Sequence, residues 1–179
     1  MYRERMETLK EWKVSKNRKP LIIRGARQVG KTWLMKEFGK LYYEKCAYIN
    51  FDNNSRMDIL FNEEFDLNRI IQGLKIESGI NIEPENTLII FDEIQETPKA
   101  LKTLKYFYEN ANEYHIVAAG SLLGVAMHQG TSFPVGKVNF MDLMPLSFFE
   151  FLDALGQDHL LNLLKNNEFD MISVFNNKY

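Results

Sequence analysis

Short apolar runs alternate along the chain with longer segments in which apolar residues recur every three or four positions. A continuous apolar run of roughly four to eight residues is typical of a strand buried on both faces, as in a parallel sheet. Such runs predict strands at residues 21–24, 47–52, 88–91 and 115–119, with a weaker one at 138–143. The apolar pattern therefore predicts five strands.

The segments between these runs carry signals of helix ends. Asp66 can cap the helix that follows it, and Thr97 with Pro98 is typical of a first helical turn. Ser147 and Glu150 fit the capping-box pattern. Further helices are predicted at 3–12, 31–43 and 158–165. Repeated strand–helix units indicate an α/β fold, with a mostly parallel five-stranded sheet and helices on both faces.

The composition is typical of one globular domain with its own core: 179 residues, 45% hydrophobic and 26% charged. A net charge of −2 argues against a dedicated nucleic-acid binder, whose binding face is strongly basic. Cys46 is the single cysteine, so no intrachain disulfide can form, which suits a reducing compartment. The first residues lack the apolar core of a secretory signal, and the most apolar stretch, 116–127, is shorter than the roughly 18 residues of a membrane span. We expect a soluble, cytoplasmic protein.

Residues 25–32 match the pattern G-x-x-x-x-G-K-[ST] and lie between a predicted strand and a predicted helix. Glycines let the backbone wrap closely around phosphate oxygens, and the helix N-terminus adds N–H donors and positive partial charge. Lys31, which we also count as catalytic, can reach the β- and γ-phosphates, and the Thr32 hydroxyl can bind Mg²⁺. The alternative is an accidental glycine-rich turn. The predicted nucleotide-binding residues are Gly25, Ala26, Arg27, Gln28, Val29, Gly30, Lys31, Thr32 and Trp33.

The apolar run at 88–91 ends in two carboxylates, Asp92 and Glu93, which is similar to a Walker B segment. Ligands bind at the carboxyl edge of open α/β sheets, and an apolar strand holds such acids rigidly at that edge. We predict that Asp92 holds Mg²⁺, through water, and that Glu93 orients the attacking water or accepts its proton. The alternative is an ordinary acidic turn after a strand.

Four further residues have two interpretations each. Ser121 follows the strand at 115–119, where a small polar side chain could contact the γ-phosphate or the attacking water; the alternative is a serine in a Gly-Ser turn. Arg24, Arg27 and Lys137 are cations that could lie near the phosphates and stabilise transferred charge. The alternative for each is a solvated surface charge, and Arg24 could instead pair with a buried acid.

These motifs and their surroundings resemble a bacterial and archaeal family of AAA-like ATPases. The resemblance is carried by residues 18–32, 91–95, 119–124, 133–138 and 145–152. It implies a RecA-like P-loop NTPase fold, a three-layer sandwich with an extra strand between the two Walker strands, and the segment 47–52 fits that strand. It also implies that the four residues of the two motifs act as argued above: Lys31, Thr32, Asp92 and Glu93. It places Ser121 at the sensor position.

Members of that family continue into a second, C-terminal domain. The resemblance therefore implies that residues 1–168 form the ATP-binding domain and that 169–179 are an apolar tail. This tail is either a remnant of the second domain or a natural end packed on the core.

The residues favour an ATPase whose hydrolysis of ATP to ADP and phosphate drives a conformational change, with ATP and Mg²⁺ as cofactors. The alternative is a nucleotide-binding switch or truncated fragment with little turnover. A small-molecule kinase is disfavoured because no arginine of a lid follows Gly120, and DNA translocation is disfavoured by the acidic balance. The expected partner besides ATP is an unknown protein or a second copy of the chain. No association with a membrane is expected.

Overall fold

The computed structural model describes residues 3–63, 66–120, 134 and 136–168. Within those ranges five strands form one sheet: β1 (Leu21–Arg24), β2 (Lys45–Asn50), β3 (Thr87–Asp92), β4 (His115–Ala119) and β5 (Asn139–Asp142). The α-helices in the same ranges are α1 (Arg5–Val14), α2 (Lys31–Tyr42), α3 (Ser55–Asn62), α4 (Leu67–Ser78), α5 (Pro98–Asn110), α6 (Phe148–Ala154) and α7 (Asp158–Lys165). A short 3₁₀ helix, Ile94–Glu96, leads from β3 towards α5.

The strands lie in the order β2-β3-β4-β1-β5, and each neighbouring pair is parallel. Because the strands are parallel, their carboxyl ends meet at one edge of the sheet. At that edge Asp92, the last residue of β3, lies in register with Asn50 of β2 and Ala119 of β4. The ends of β1 and β3 are thus separated only by β4.

Helices cover both faces of the sheet and enclose two apolar cores. On one face α1 and α2 pack against the strands, and Leu34 and Phe38 of α2 are fully buried there. On the opposite face α3, α4 and α5 contribute the buried side chains of Phe61, Leu74 and Leu104. This three-layer arrangement confirms the α/β class, the five-stranded parallel sheet and the helices on both faces.

The position expected for the segment 47–52 is wrong. This segment overlaps the edge strand β2, whereas the strand between β1 and β3 is β4. The sequence also did not predict α3, which follows Asn54; the side chain of Asn54 accepts a hydrogen bond from the Met57 N–H. The order of strands in a sheet depends on packing across the whole domain, which the order of apolar runs does not encode.

Two of the predicted helix starts differ in how they are built. Thr97 precedes α5 and Pro98 lies in its first turn, as predicted, but the Thr97 hydroxyl donates to Asp58 of α3 (2.5 Å) instead of capping the helix. The capping box of α6 is present as predicted, with reciprocal hydrogen bonds between Ser147 and Glu150. Among the described helices, none has both the length and the apolar character needed to cross a bilayer.

Candidate functional site

The glycine-rich loop, residues 25–30, joins β1 to α2 at the carboxyl edge of the sheet. Gly25 allows a close approach, because a Cβ there would lie 2.3 Å from the carbonyl oxygen of Leu143. Gly30 is the N-cap of α2 and has a φ of 91°, in the left-handed region that favours glycine. The loop therefore delivers the N-terminus of a twelve-residue helix to this edge, with its unpaired N–H groups and positive partial charge.

Lys31 begins α2 and folds its side chain back over the loop. Its ammonium donates to the carbonyl oxygens of Gly25 (2.9 Å) and Ala26 (2.7 Å). Burial lowers the pKa of Lys31, while the negative charges of Glu93 and Asp92 oppose that shift. Within the described residues, the hydrogen bonds of this buried cation go to neutral carbonyl groups, which it is well suited to exchange for an anion.

Asp92 connects three segments at the end of β3. Its Oδ2 accepts hydrogen bonds from the Thr32 hydroxyl (2.6 Å) and from the Tyr48 hydroxyl (3.0 Å). Burial raises the pKa of Tyr48, and the charge of Asp92 raises it further, so this hydroxyl stays a donor. The other oxygen of Asp92, Oδ1, accepts a hydrogen bond from the N–H of Glu93 (3.2 Å). Thr32 and Asp92 thus present adjacent oxygen ligands of the kind that Mg²⁺ prefers.

Glu93 leaves the strand in an uncommon conformation. Its φ of 52° lies in the left-handed region, which a residue other than glycine adopts at a cost that surrounding structure must offset. The Gln95 amide donates to the Glu93 carboxylate (2.6 Å) and also contacts Glu96 (3.2 Å). Gln95 Oε1 is buried and lacks a hydrogen-bond partner within the described part of the chain. The acid is therefore turned out of the sheet and held at its edge.

Lys31, Thr32 and Glu93 line one cavity of about 640 Å³ at the mouth of the glycine-rich loop. Its lining residues are Arg27, Gln28, Gly30, Lys31, Thr32, Trp33, Asp52, Glu93, Gln95 and Glu96. The volume falls within the range of small-molecule sites, on the order of 300–1,000 Å³. Cations from the loop and α2 face it beside carboxylates from the strand ends. The cavity can therefore take a ligand that is anionic at one end and coordinates a divalent cation.

The structure brings together most of the site residues predicted from the sequence. Lys31, Thr32 and Glu93 line the cavity, and Asp92 is joined to Thr32 behind them. The loop residues differ among themselves: Val29 is buried in the apolar core, while Gly25 and Ala26 contribute the carbonyl groups that hold Lys31. Ser121 and the tail at 169–179 lie outside the described residues.

Of the three candidate cations, Arg27 lines the cavity and the other two lie in ion pairs elsewhere. Arg24 forms a two-pronged pair with Asp142 on the neighbouring strand, both contacts at 2.8 Å. That acid is 53% exposed, so it is not the buried partner that the alternative expected. Lys137 pairs with Glu109 at 2.9 Å. Both are partly solvated surface charges.

Sequence reasoning missed three residues that line the cavity: Asp52, Gln95 and Glu96. Asp52 lies just beyond β2, so the rule that parallel strands end at one edge would have pointed to it once β2 was placed beside β3. Gln95 and Glu96 lie in the 3₁₀ helix after Glu93, which the apolar pattern does not predict.

Comparison with known families gives one sequence match. The sequence model of a family described as AAA domain matches residues 17–152. This range contains the glycine-rich loop, β3 with Asp92, the adjoining Glu93, and the start of α6. No curated protein matches the chain.

Several solved structures share the fold. The Walker-type ATPase of Pyrococcus abyssi matches with a TM-score of 0.56 at 16% identity, over 92% of this chain and 59% of that chain. Drosophila ORC bound to DNA matches with a TM-score of 0.56 at 18% identity, over 85% of this chain and 45% of that chain. The Aeropyrum pernix ORC1 protein in complex with DNA matches with a TM-score of 0.51 at 13% identity, over 88% of this chain and 50% of that chain. At these identities the likeness shows the RecA-like P-loop fold, and the chain spans about half the length of the matched structures.

Proposed function

The chain belongs to the AAA domain family, and on that premise we propose that it binds MgATP in the cavity at the glycine-rich loop and hydrolyses it. The coupling of nucleotide state to a conformational change is part of the same proposal. One observation carries it: the Lys31 ammonium, the Thr32 hydroxyl and the Glu93 carboxylate line a single cavity, and Asp92 at the end of β3 is hydrogen-bonded to Thr32 directly behind them.

Phosphate binding is assigned to the loop and the first turn of α2. The backbone N–H groups at the start of a helix lack partners within the helix and point out of its end, where they can bind phosphate oxygens. Lys31 would release the carbonyl groups of Gly25 and Ala26 and bind a phosphate instead. Arg27, exposed at the rim of the cavity, adds a second positive charge.

The metal site is assigned to Thr32 and Asp92. Bound there, Mg²⁺ would neutralise charge on the phosphates. The Tyr48 hydroxyl holds Oδ2 of Asp92 on the side of Thr32, so the two oxygen ligands remain adjacent. The threonine hydroxyl would exchange its hydrogen bond to Asp92 for the metal.

Glu93 is assigned as the general base. Its carboxylate lies at the cavity and is held by the Gln95 amide at 2.6 Å, so it can accept a proton from a water molecule that attacks the terminal phosphate. The neighbouring Asp92 is engaged by Thr32 and Tyr48, which leaves Glu93 for proton transfer.

Steady-state release of phosphate from ATP tests this assignment. We expect Glu93→Gln to lower the rate at least about a hundredfold, since a general base contributes 10²- to 10⁴-fold, while MgATP still binds. Glu96→Gln is the matched control, because it removes a carboxylate from the same cavity and should leave most of the rate. Equal rates in the wild type and Glu93→Gln would instead mean a nucleotide-binding switch in which Glu93 is no catalyst.

A further inference from the structure

Arg3 is a buried arginine far in sequence from the cavity that nevertheless contacts the glycine-rich loop. Its side chain is 3% exposed. The guanidinium donates to the carbonyl oxygen of Val29 (2.9 Å), to that of Met144 (2.8 Å) and to the carboxylate of Glu150 (3.0 Å). One planar group thus joins the loop, the segment after β5, and α6.

Glu150 anchors this arginine from the first turn of α6. Its carboxylate also accepts the N–H groups of Glu4 (2.9 Å) and Ser147 (2.9 Å). Burial alone would raise the pKa of Glu150, but these two N–H groups and the Arg3 guanidinium outweigh it and the pKa is lowered. The pair is therefore charged, and each nitrogen of the guanidinium and each oxygen of the carboxylate makes at least one hydrogen bond.

Stability alone is a weak reason for such a pair. Removing two charges from water is costly, and replacing a buried ion pair by apolar residues of similar volume is often neutral or stabilising. The planar fork of arginine can satisfy several acceptors at fixed angles, which neither an apolar side chain nor lysine can do. The geometry of the three acceptors is thus what requires an arginine.

The contact with Val29 fixes the peptide that leads into Gly30. In a trans peptide the C=O and the following N–H point in opposite directions, and the described residues include no cis peptide. Because Arg3 holds the Val29 carbonyl, the Gly30 N–H is turned away from Arg3. Gly30 lines the cavity and is the N-cap of α2, so its N–H belongs to the group of loop donors.

We propose that Arg3, anchored by Glu150, is a positioning residue for nucleotide binding, because its hydrogen bond to the Val29 carbonyl orients the Gly30 N–H towards the phosphates. This inference rests on the proposed ATP site. It assigns to α6 a direct connection with the loop, through one side chain. Neither residue touches the nucleotide in this account.

Arg3→Lys tests the inference, because lysine keeps the charge opposite Glu150 but cannot span all three acceptors. We expect MgATP binding to weaken about tenfold, the lower end for a hydrogen bond to a charged group, at a temperature where circular dichroism shows a folded chain. Arg69→Lys is the matched control: Arg69 also joins a carboxylate, that of Glu63, to a backbone carbonyl, that of Leu60, and none of the three residues lines the cavity. It should leave the Kd unchanged.

Selective ¹⁵N labelling of the ten glycines adds a readout that a merely structural role would not move. The Gly30 amide signal should shift when MgATP is added to the wild type, and shift much less in Arg3→Lys. A Kd within twofold of the wild type, with the same Gly30 shift, would overturn the inference while the ATP site stands. A wild type that does not bind MgATP would overturn both.

If Arg3→Lys does not fold, Glu150→Gln replaces it. This variant keeps a neutral acceptor for Arg3 but removes the charge that anchors it. We expect MgATP binding to weaken at least about threefold, since charge-assisted hydrogen bonds are roughly twice as strong as neutral ones. An unchanged Kd in folded Glu150→Gln would contradict the role of the anchor and of Arg3 with it.

Discussion

Asp92 shows how a single side chain sets the chemistry of this cavity. Its two oxygens accept hydrogen bonds from Thr32, Tyr48 and the N–H of Glu93. A carboxylate with these donors has one orientation, and it faces the hydroxyl beside which a metal would bind. The residue is 4% exposed, so its charge is only weakly screened by solvent.

Asp92→Asn should remove most of the benefit that Mg²⁺ gives to ATP binding, because an amide is a poorer ligand and carries no charge. The measurement is a calorimetric titration with ATP in Mg²⁺ and again in EDTA. In the wild type affinity should be higher with Mg²⁺; in Asp92→Asn the two affinities should approach each other. Asp52→Asn, which alters an acid that lines the cavity, is the control. An undiminished Mg²⁺ effect in Asp92→Asn would rule out this metal ligand.

At the scale of elements, local signals predicted what lies within one segment and failed for what depends on distant ones. The loop-to-helix junction at Lys31 and the strand that ends at Asp92 are both present, because glycine, capping and apolar-run signals act over a few residues. The meeting of this junction and the end of that strand at one site could also be predicted, because parallel strands end at a common edge of the sheet. Arg3 could not be predicted in this way, since 26 residues separate it from Val29 and 147 from Glu150.

The start of α6 gives a prediction at this scale. The Ser147 hydroxyl accepts from the Glu150 N–H at 3.2 Å, so Ser147→Ala should lower the free energy of unfolding by about 1 kcal/mol. Urea denaturation measures this loss. Ser147→Thr retains the capping oxygen and should keep most of the stability. If threonine and alanine destabilise the chain equally, the cap is not the cause.

At the scale of the whole molecule, the sheet joins two cores, and a buried histidine in one of them links stability to pH. His115 on β4 is 4% exposed and lies at 2.7 Å from the Tyr43 hydroxyl and edge-on to Trp12. Burial, with the nearby charges of Arg18 and Lys13, lowers the pKa of His115 from 6.5 to about 4.

This shift predicts a loss of stability in mild acid. Above about pH 6.5 His115 is neutral in both the folded and unfolded chains and its titration has no effect on stability. As the pH falls from 6.5 towards 4, the unfolded chain takes up the proton first, so the free energy of unfolding falls, by up to about 3 kcal/mol. His115→Gln keeps a polar partner for Tyr43 and should flatten this dependence in urea denaturation.

His159→Gln, at an exposed position on α7, serves as the control for that series and should leave the slope as it is. A wild-type curve that is flat between pH 6.5 and 5 would contradict the predicted loss of stability. A slope that survives in His115→Gln would show that another group is responsible.

The central claim is that this cavity binds the phosphates of ATP, and titration of the wild type and Lys31→Ala with MgATP tests it most directly. Lys31 contributes a charge-assisted hydrogen bond worth roughly 1.5–3 kcal/mol, so the Kd should rise about ten- to a hundredfold in the variant. Lys40→Ala, an exposed lysine of the same helix, should bind as the wild type does. Equal affinities in the wild type and Lys31→Ala, or no binding by either, would contradict the account.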